Sequence, residues 1–190
     1  MNLDHARDGL TPVDDAAFRG ALGHFASGVT VVSTVEQAPS GAIDHAMTAS
    51  AFTSVSLVPP QVLVCAHRVS RFHEAVLESG TWGVSILAET AQDAASWFAW
   101  RGRPLERQLE GFAHHRGRTG VMLLDDALGW LECRTVAVHD GGDHVILVGE
   151  VVAARVREDP AAPLLYYRSH YGTIVRSPES EMTYRQGETT

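Results

Sequence analysis

Alternation of apolar and polar positions at a two-residue period recurs along most of this chain, and helical spacing interrupts it only briefly. VTVVSTV at 29–35, QVLVCAH at 61–67 and TWGVSIL at 81–87 are β-branched or aromatic runs of strand length. LGWLECRTVAVHD and HVILVGEVVAARV flank Asp140-Gly141-Gly142-Asp143, a turn sequence that predicts an antiparallel hairpin. Phe18, Ala21, Leu22 and Phe25 recur at helical spacing behind a start signal of Thr11 as N-cap, Pro12 and Asp14, and Gly28 supplies a stop. This predicts an amphipathic helix lying on the strand that follows. Ser70 caps a second short helix through Ser79, ended by Gly80, and Thr90 with Asp93 opens a third carrying Ala94, Trp97 and Phe98. EQAPSGAID at 36–44 reads as turn, and the polar segment from Arg101 to Gly120 as a long loop of the kind that often carries function. The aromatic-rich segment LLYYRSHYGTI, 164–174, ends at the sheet. Six or seven strands against two or three helices, without regular βαβ spacing, predict a mainly β fold with short helices: a closed or nearly closed antiparallel barrel.

The stretch His45 to Pro60, HAMTASAFTSVSLVPP, fits none of these patterns cleanly. It holds Thr48, Ser50, Thr53, Ser54 and Ser56 among small apolar residues and stops at a double proline. A solvated loop would carry more charge and a buried strand more Val and Ile. At a two-residue period Thr48, Ser50, Phe52, Ser54 and Ser56 share one face, and a bend is expected between Ala51 and Ser54. Such a face suits a flat, polar-edged ligand, because small side chains admit it to the backbone N–H groups and hydroxyls donate or accept. A Ser/Thr-rich strand pair with a bend reads the same way. The helix starting at Ser70 follows a strand end directly, so its first N–H groups with Arg68 or Arg71 form an anion-ready site, or else an ordinary capped helix with surface arginines.

Composition narrows the function classes. With 190 residues, 45% hydrophobic, the chain is sized for one domain, expected at 14–175 between a flexible N-terminus (1–13) and a polar tail (176–190). A net charge of −8 argues against a nucleic-acid surface, which needs clustered Lys and Arg. No apolar run approaches a membrane span and no leader pattern opens the chain, so a cytoplasmic protein is expected. Cys65 and Cys133 sit far apart in apolar runs and read as buried thiols. Ten histidines without HExxH or CxxC spacing give no reason to expect a metal.

Four stretches, FRGALGHFASGVTVVST (18–34), MTASAFTSVSLVPPQVLVC (47–65), SRFHEA from Ser70 and GDHVILVGEV from Gly142, together resemble the flavin reductase-like group of FMN-binding split barrels. These are the reductase components that supply reduced flavin to two-component monooxygenases. The resemblance covers residues 14 to 175 and implies an antiparallel split β-barrel. It implies a flavin, FMN or FAD, held by the segment containing Thr48, Ala49, Ser50, Ala51, Phe52, Ser54 and Ser56, with its phosphate near His67, Ser70, Arg71 and Phe72. It also implies NADH or NADPH as co-substrate, near His144 and near Tyr166, Tyr167, Arg168 and Tyr171. A histidine after Asp-Gly-Gly-Asp is otherwise simply a turn residue. Many relatives carry glycine just before the methionine, where this chain has Ala46.

No GxGxxG occurs, so the nicotinamide nucleotide would lie in a groove beside the flavin. Hydride transfer between two stacked rings needs alignment more than an acid or base, and no catalytic side chain is assigned. The implied activity is that of an NAD(P)H:flavin oxidoreductase with a separate monooxygenase partner. A non-catalytic flavin carrier and an oxidase or oxygenase that retains its flavin are the rival classes. A homodimer is expected, with the surplus of aromatic residues at Trp97, Trp100, Tyr166, Tyr167 and Tyr171 supplying interface area.

Overall fold

The computed structural model describes residues 12–159 and 161–175; Thr11, nearly all of the expected flexible N-terminus and the polar tail at 176–190 lie outside the described residues. The elements run α1 (Asp15–Leu22), β1 (Ser27–Gly28), β2 (Thr30–Ala38), β3 (Gly41–Ala49), β4 (Phe52–Leu57), β5 (Pro60–His67), α2 (Arg71–Ser79) and β6 (Thr81–Leu87). There follow α3 (Gln92–Ala99), β7 (His114–Arg116), β8 (Met122–Leu124), β9 (Ala127–Gly141), β10 (His144–Val156), β11 (Leu165–Tyr167) and β12 (His170–Gly172). The fold is mainly β with three short helices, as the strand count implies.

Seven strands form one antiparallel sheet in the order β3-β2-β6-β9-β10-β5-β4. Its two edge strands, β3 and β4, are consecutive in the chain, and only Ser50 and Ala51 separate them. Three peptide steps span at most about 11 Å, so the edges must meet there and the sheet curls round on itself. No β3–β4 ladder joins the edges among the described residues, which leaves the barrel split along that seam. Val32, Val64, Trp82, Val84 and Leu147 fill the interior, and α2 plugs it with Phe72 and Val76. A second cluster joins Ala94, Ala95 and Phe98 of α3 to Val29, Val31 and Leu87. A third, Val121, Leu123, Ala127 and Trp130, lies under the β7–β8 flap.

Several expectations are corrected. Asp14, not Thr11, caps α1 by accepting from Ala17 N at 2.7 Å, and the helix ends at Leu22 before Gly23. None of its residues is buried: Phe18, Leu22 and Phe25 are all more than half exposed, so this apolar face does not lie on the following strand. The expected turn at 36–44 shrinks to Pro39–Ser40, because β2 and β3 extend to the Ala38–Gly41 pair. Thr90 does not cap α3; it falls in a 3-10 turn, Glu89–Ala91, and no side chain caps the helix. The strand break comes at Ser50–Ala51, one residue ahead of the expected bend. The segment 164–174 meets the barrel at Leu164, whose N donates to Leu87 O at 2.9 Å, and then continues as a hairpin that pairs with β1 in a separate three-stranded sheet.

The polar 101–120 segment is not a free loop. Arg103 is buried and donates to Phe98 O and Trp100 O at 3.0 Å each and to Ala46 O, while Gln108 Nε2 donates to Asp44 O. Burial and the neighbouring charge of Arg71 lower the Arg103 guanidinium to about 10, which still leaves it charged at neutral pH. One buried cation thereby fastens α3 and its following turn to the backbone of β3, just upstream of the seam.

Candidate functional site

The seam is where unpaired backbone accumulates. β3 is bonded only to β2, and β4 only to β5, so each presents a free edge where they converge at Ser50 and Ala51. Both residues are exposed. Cys65 N donates to Ala51 O at 3.0 Å, which sets the break beside the C-terminal end of β5. Thr48 Oγ1 donates to Ala95 O of α3 at 2.7 Å, and Phe52 packs against the barrel core, each side chain remaining half-buried. Ser54 is exposed beside a register shift, Ser56 Oγ accepts from Val58 N at 3.2 Å, and Ala49 is buried. The continuous hydroxyl face expected at a two-residue period is therefore broken by the seam itself.

Beyond β5 the chain turns directly into α2. Ser70 N donates to His67 O at 2.9 Å, and Ser70 Oγ caps the helix by accepting from His73 N at 3.2 Å. The first N–H groups, of Arg71 and Phe72, have no intrahelical acceptor by position. The Phe72 ring is 2% exposed in the core, so this residue offers its backbone alone. Arg71 uses one nitrogen on Arg103 O at 3.0 Å, and the rest of its fork is exposed. Arg68 is already committed: Nε donates to Gly142 O at 2.9 Å and Nη2 pairs with Asp140.

The β9–β10 hairpin delivers the third part. Gly141 pairs with His144, which leaves Gly142–Asp143 as a two-residue turn whose positive φ of 76° falls on glycine. His144 pairs in turn with His67 across β5, and their rings meet edge to face at 4.9 Å. Asp143 contacts both rings, at 2.7 Å from His144 Nδ1 and 3.8 Å from His67 Nε2. The hydrogen bond from His144 is the largest influence on the Asp143 carboxyl and holds it below its ordinary range.

The remaining residues of interest lie on the β11–β12 hairpin. Tyr166 and Tyr171 face each other at 5.4 Å, and Arg168 and Ser169 form the turn with positive φ of 47° and 64°. Arg168 N donates to Gly23 O at 2.9 Å, and Tyr167 meets His24 edge-on at 6.2 Å, so this hairpin docks on the end of α1. The Arg19 guanidinium of α1 is raised chiefly by its hydrogen bond to Asp15 at 2.7 Å. Burial raises the Tyr171 phenol, whose ring packs against the second core cluster.

The family model of the flavin reductase like domain matches residues 22–175. The chain belongs to that family. An NADH-dependent flavin reductase from Rhodococcus sp is 40% identical over 156 residues, covering 82% of this chain and 84% of that protein. The reductase component of a 4-nitrophenol 4-monooxygenase/4-nitrocatechol 2-monooxygenase from Rhodococcus opacus is 38% identical over 166 residues, covering 87% and 84%. Among solved structures, BorF, the flavin reductase component of a bacterial two-component tryptophan halogenase, superposes with a TM-score of 0.77 at 39% identity, covering 86% of this chain and all of that one.

Within this flavin reductase-like fold, Asp143 belongs to the Gly142, Asp143, His144 triplet that the family resemblance places at the NADH side, but its contact with His67 is not visible in the sequence. Arg103 carries no sequence signal, because an arginine in a polar segment looks solvated until the fold buries it.

Proposed function

We propose that this chain is an NADH-dependent flavin reductase that passes reduced FMN or FAD to a separate monooxygenase component. The observation that carries the reading is the meeting, at the C-terminal end of β5, of three ligand-ready features: the exposed Ser50–Ala51 seam, the N-terminus of α2 and the His67–Asp143–His144 cluster. In this reading the flavin ring lies along the segment from Thr48 to Ser56, with Ser50 and Ala51 presenting backbone groups to its polar edge. Thr48, Ala49 and Phe52 shape that seam from behind. The phosphate sits at the N–H groups of Arg71 and Phe72, with Ser70, His67 and the free part of the Arg71 fork around it. The seam fits such a group because a flat ring needs small side chains and free backbone N–H groups at its rim, and both are present at Ser50 and Ala51.

Bound flavin supplies the hydride-accepting ring, and the protein's task is alignment. Asp143 accepts from His144 Nδ1, which leaves Nε2 of the neutral ring as an acceptor for the carboxamide N–H of a nicotinamide. Tyr166, Tyr167, Arg168 and Tyr171 close the nicotinamide side from the β11–β12 hairpin. The catalytic unit is residues 14–175, acting in the cytoplasm as a homodimer. The exposed apolar face of α1, beside the exposed Tyr166 and Tyr167, supports that assembly.

Mixing the protein with NADH and either FMN or FAD while following absorbance at ~340 nm tests the reading, nicotinamide consumption being the expected result. No turnover with either flavin, in a protein that still binds one, would assign it instead to flavin carriage.

A further inference from the structure

The face of β9 that carries Trp130 and Glu132 points away from the Trp82 and Cys133 side of the barrel, and the β7–β8 flap covers it. Between flap and sheet lies a cavity of about 390 Å³, lined among others by Arg116, Arg118, Leu123, Trp130, Glu132 and Arg155. It sits at the opposite end of β10 from His144, and the strand from His144 to Ala154 runs about 30 Å. The cavity therefore lies well away from the seam.

Its charges are not balanced. Arg116 is spent on Asp44, with both Nη atoms on that carboxylate at 2.5 and 2.7 Å. The Glu132 carboxylate is wrapped by the flap loop and accepts from Arg118 N at 2.9 Å, Thr119 N at 2.6 Å and Thr119 Oγ1 at 2.7 Å. Gly117 is required by this wrap, because a Cβ there would stand 2.5 Å from the Glu132 carboxyl carbon. With Glu132 occupied by backbone donors, the Arg118 and Arg155 guanidinium groups make no ion pair or side-chain hydrogen bond among the described residues. Arg155 is nonetheless held in place, with Cζ 5.4 Å from the centroid of the Trp130 ring. With Arg116 paired to Asp44, the cavity carries the Arg118 and Arg155 guanidiniums against the single Glu132 carboxylate, a net positive lining in a chain of net charge −8.

We propose that this cavity binds a small organic anion: one ring-sized apolar body against Leu123, Ala153 and Ala154, with a carboxylate or phosphate taken by Arg118 and Arg155. Both groups match the guanidinium fork. The volume is at the small end of ligand cavities, which suits a single ring system and not a dinucleotide. The site is independent of the flavin seam and leaves the reductase reading unaffected.

Isothermal titration of the full chain with benzoate and with adenosine 5′-monophosphate tests it, the two probes separating a carboxylate from a phosphate source. One of them is expected to bind at one site per chain, and Arg118→Gln and Arg155→Gln each to weaken it by about tenfold or more. Ala153→Phe, which fills the cavity from the strand position opposite Glu132 and removes neither arginine, is expected to abolish it, while His144→Ala leaves it intact. Circular dichroism confirms that the variants are folded. No binding of either probe up to about 10 mM, or binding that both glutamine variants retain, overturns the proposal; retained nucleotide binding lost in His144→Ala places that nucleotide at the seam instead.

Discussion

His67 and His144 stand opposite each other on the β5–β10 ladder with their ring centroids 4.9 Å apart, and the Asp143 carboxylate reaches both. The hydrogen bonds around them fix complementary tautomers. An ionised carboxylate only accepts, so His144 carries its proton on Nδ1 towards Asp143 at 2.7 Å. His67 Nδ1 accepts from Val69 N at 3.2 Å, so its neutral ring carries the proton on Nε2, directed at the same carboxylate. One acid at the hairpin tip thus orients His144 by a hydrogen bond and lies 3.8 Å from His67, between two proposed subsites, the phosphate side and the nicotinamide side.

His144→Ala is expected to raise KM for NADH by about tenfold, near 1 to 1.5 kcal/mol, with flavin affinity almost unchanged. Asp143→Asn should raise it in the same direction by less. If Asp143 acts through His144, the double variant is no worse than His144→Ala alone. Steady-state kinetics of the three variants decide it, and fully additive effects would separate the two residues.

Ser50→Ala is expected to weaken flavin binding by about 0.5 to 1.5 kcal/mol, the net worth of one hydrogen bond. The effect is modest because the seam offers backbone more than side chain. Ser50→Lys places a long cation where the edges of β3 and β4 converge and should abolish binding. A lysine variant that titrates with flavin like the parent would remove the seam from the site.

How far the fold was legible depends on whether its cause was local. Residues 61–67, 81–87 and 144–156 read as strands within a residue of their observed ends, and Ser70 and Gly80 bound α2 as their chemistry predicts. Those signals lie within each segment. The break at Ser50–Ala51 depends on where β2 and β5 stop pairing, which the segment's own pattern does not hold. The helical period of Phe18, Leu22 and Phe25 shows an apolar face but not what covers it, and among the described residues each of the three stays more than half exposed. The 101–120 segment looked free because Arg103 and Gln108 find acceptors 57 and 64 residues away. At the site, the capped N-terminus of α2 was legible from Ser70, whereas His144 reads from its turn alone as an ordinary hairpin residue and gains a role only through the family resemblance. The Asp143 bridge required the β5–β10 register.

Arg103→Ala should destabilise the fold by about 3 kcal/mol, since the carbonyls of Ala46, Phe98 and Trp100 each lose a charged donor and the first two are left in a buried place. Urea unfolding measures the loss. Because the same anchor supports β3 next to the seam, flavin affinity should fall with it, whereas a variant of full stability would show that the three carbonyls find other donors.

Light scattering is expected to give about twice the chain mass of 20.6 kDa. Replacing Phe18 and Leu22 with Glu should return the particle to the single-chain mass while leaving circular dichroism unchanged, because neither side chain is buried within one chain. A dimer that survives both charges lies on another face.

Glu132 gives the fold a pH dependence whose sign follows from its partners. Burial alone would raise its carboxyl, but the Thr119 hydroxyl, the N–H groups of Thr119 and Arg118, and the charge of Arg118 outweigh it and hold the group below its ordinary range. The unfolded chain therefore takes up this proton first as pH falls. The stabilisation is fully present above the ordinary carboxylate range, near 4.3 to 4.5, and is lost as pH drops through the lower folded value. Glu132→Gln keeps the shape but replaces one accepting oxygen with an amide that faces the Thr119 and Arg118 donors, and should cost about 2 kcal/mol at neutral pH. Thermal midpoints of parent and variant, followed from pH 7 to about pH 3, should differ most above pH 5 and converge in acid. A gap that stays constant across that range would mean that the wrapped carboxylate contributes shape, not charge, to the flap.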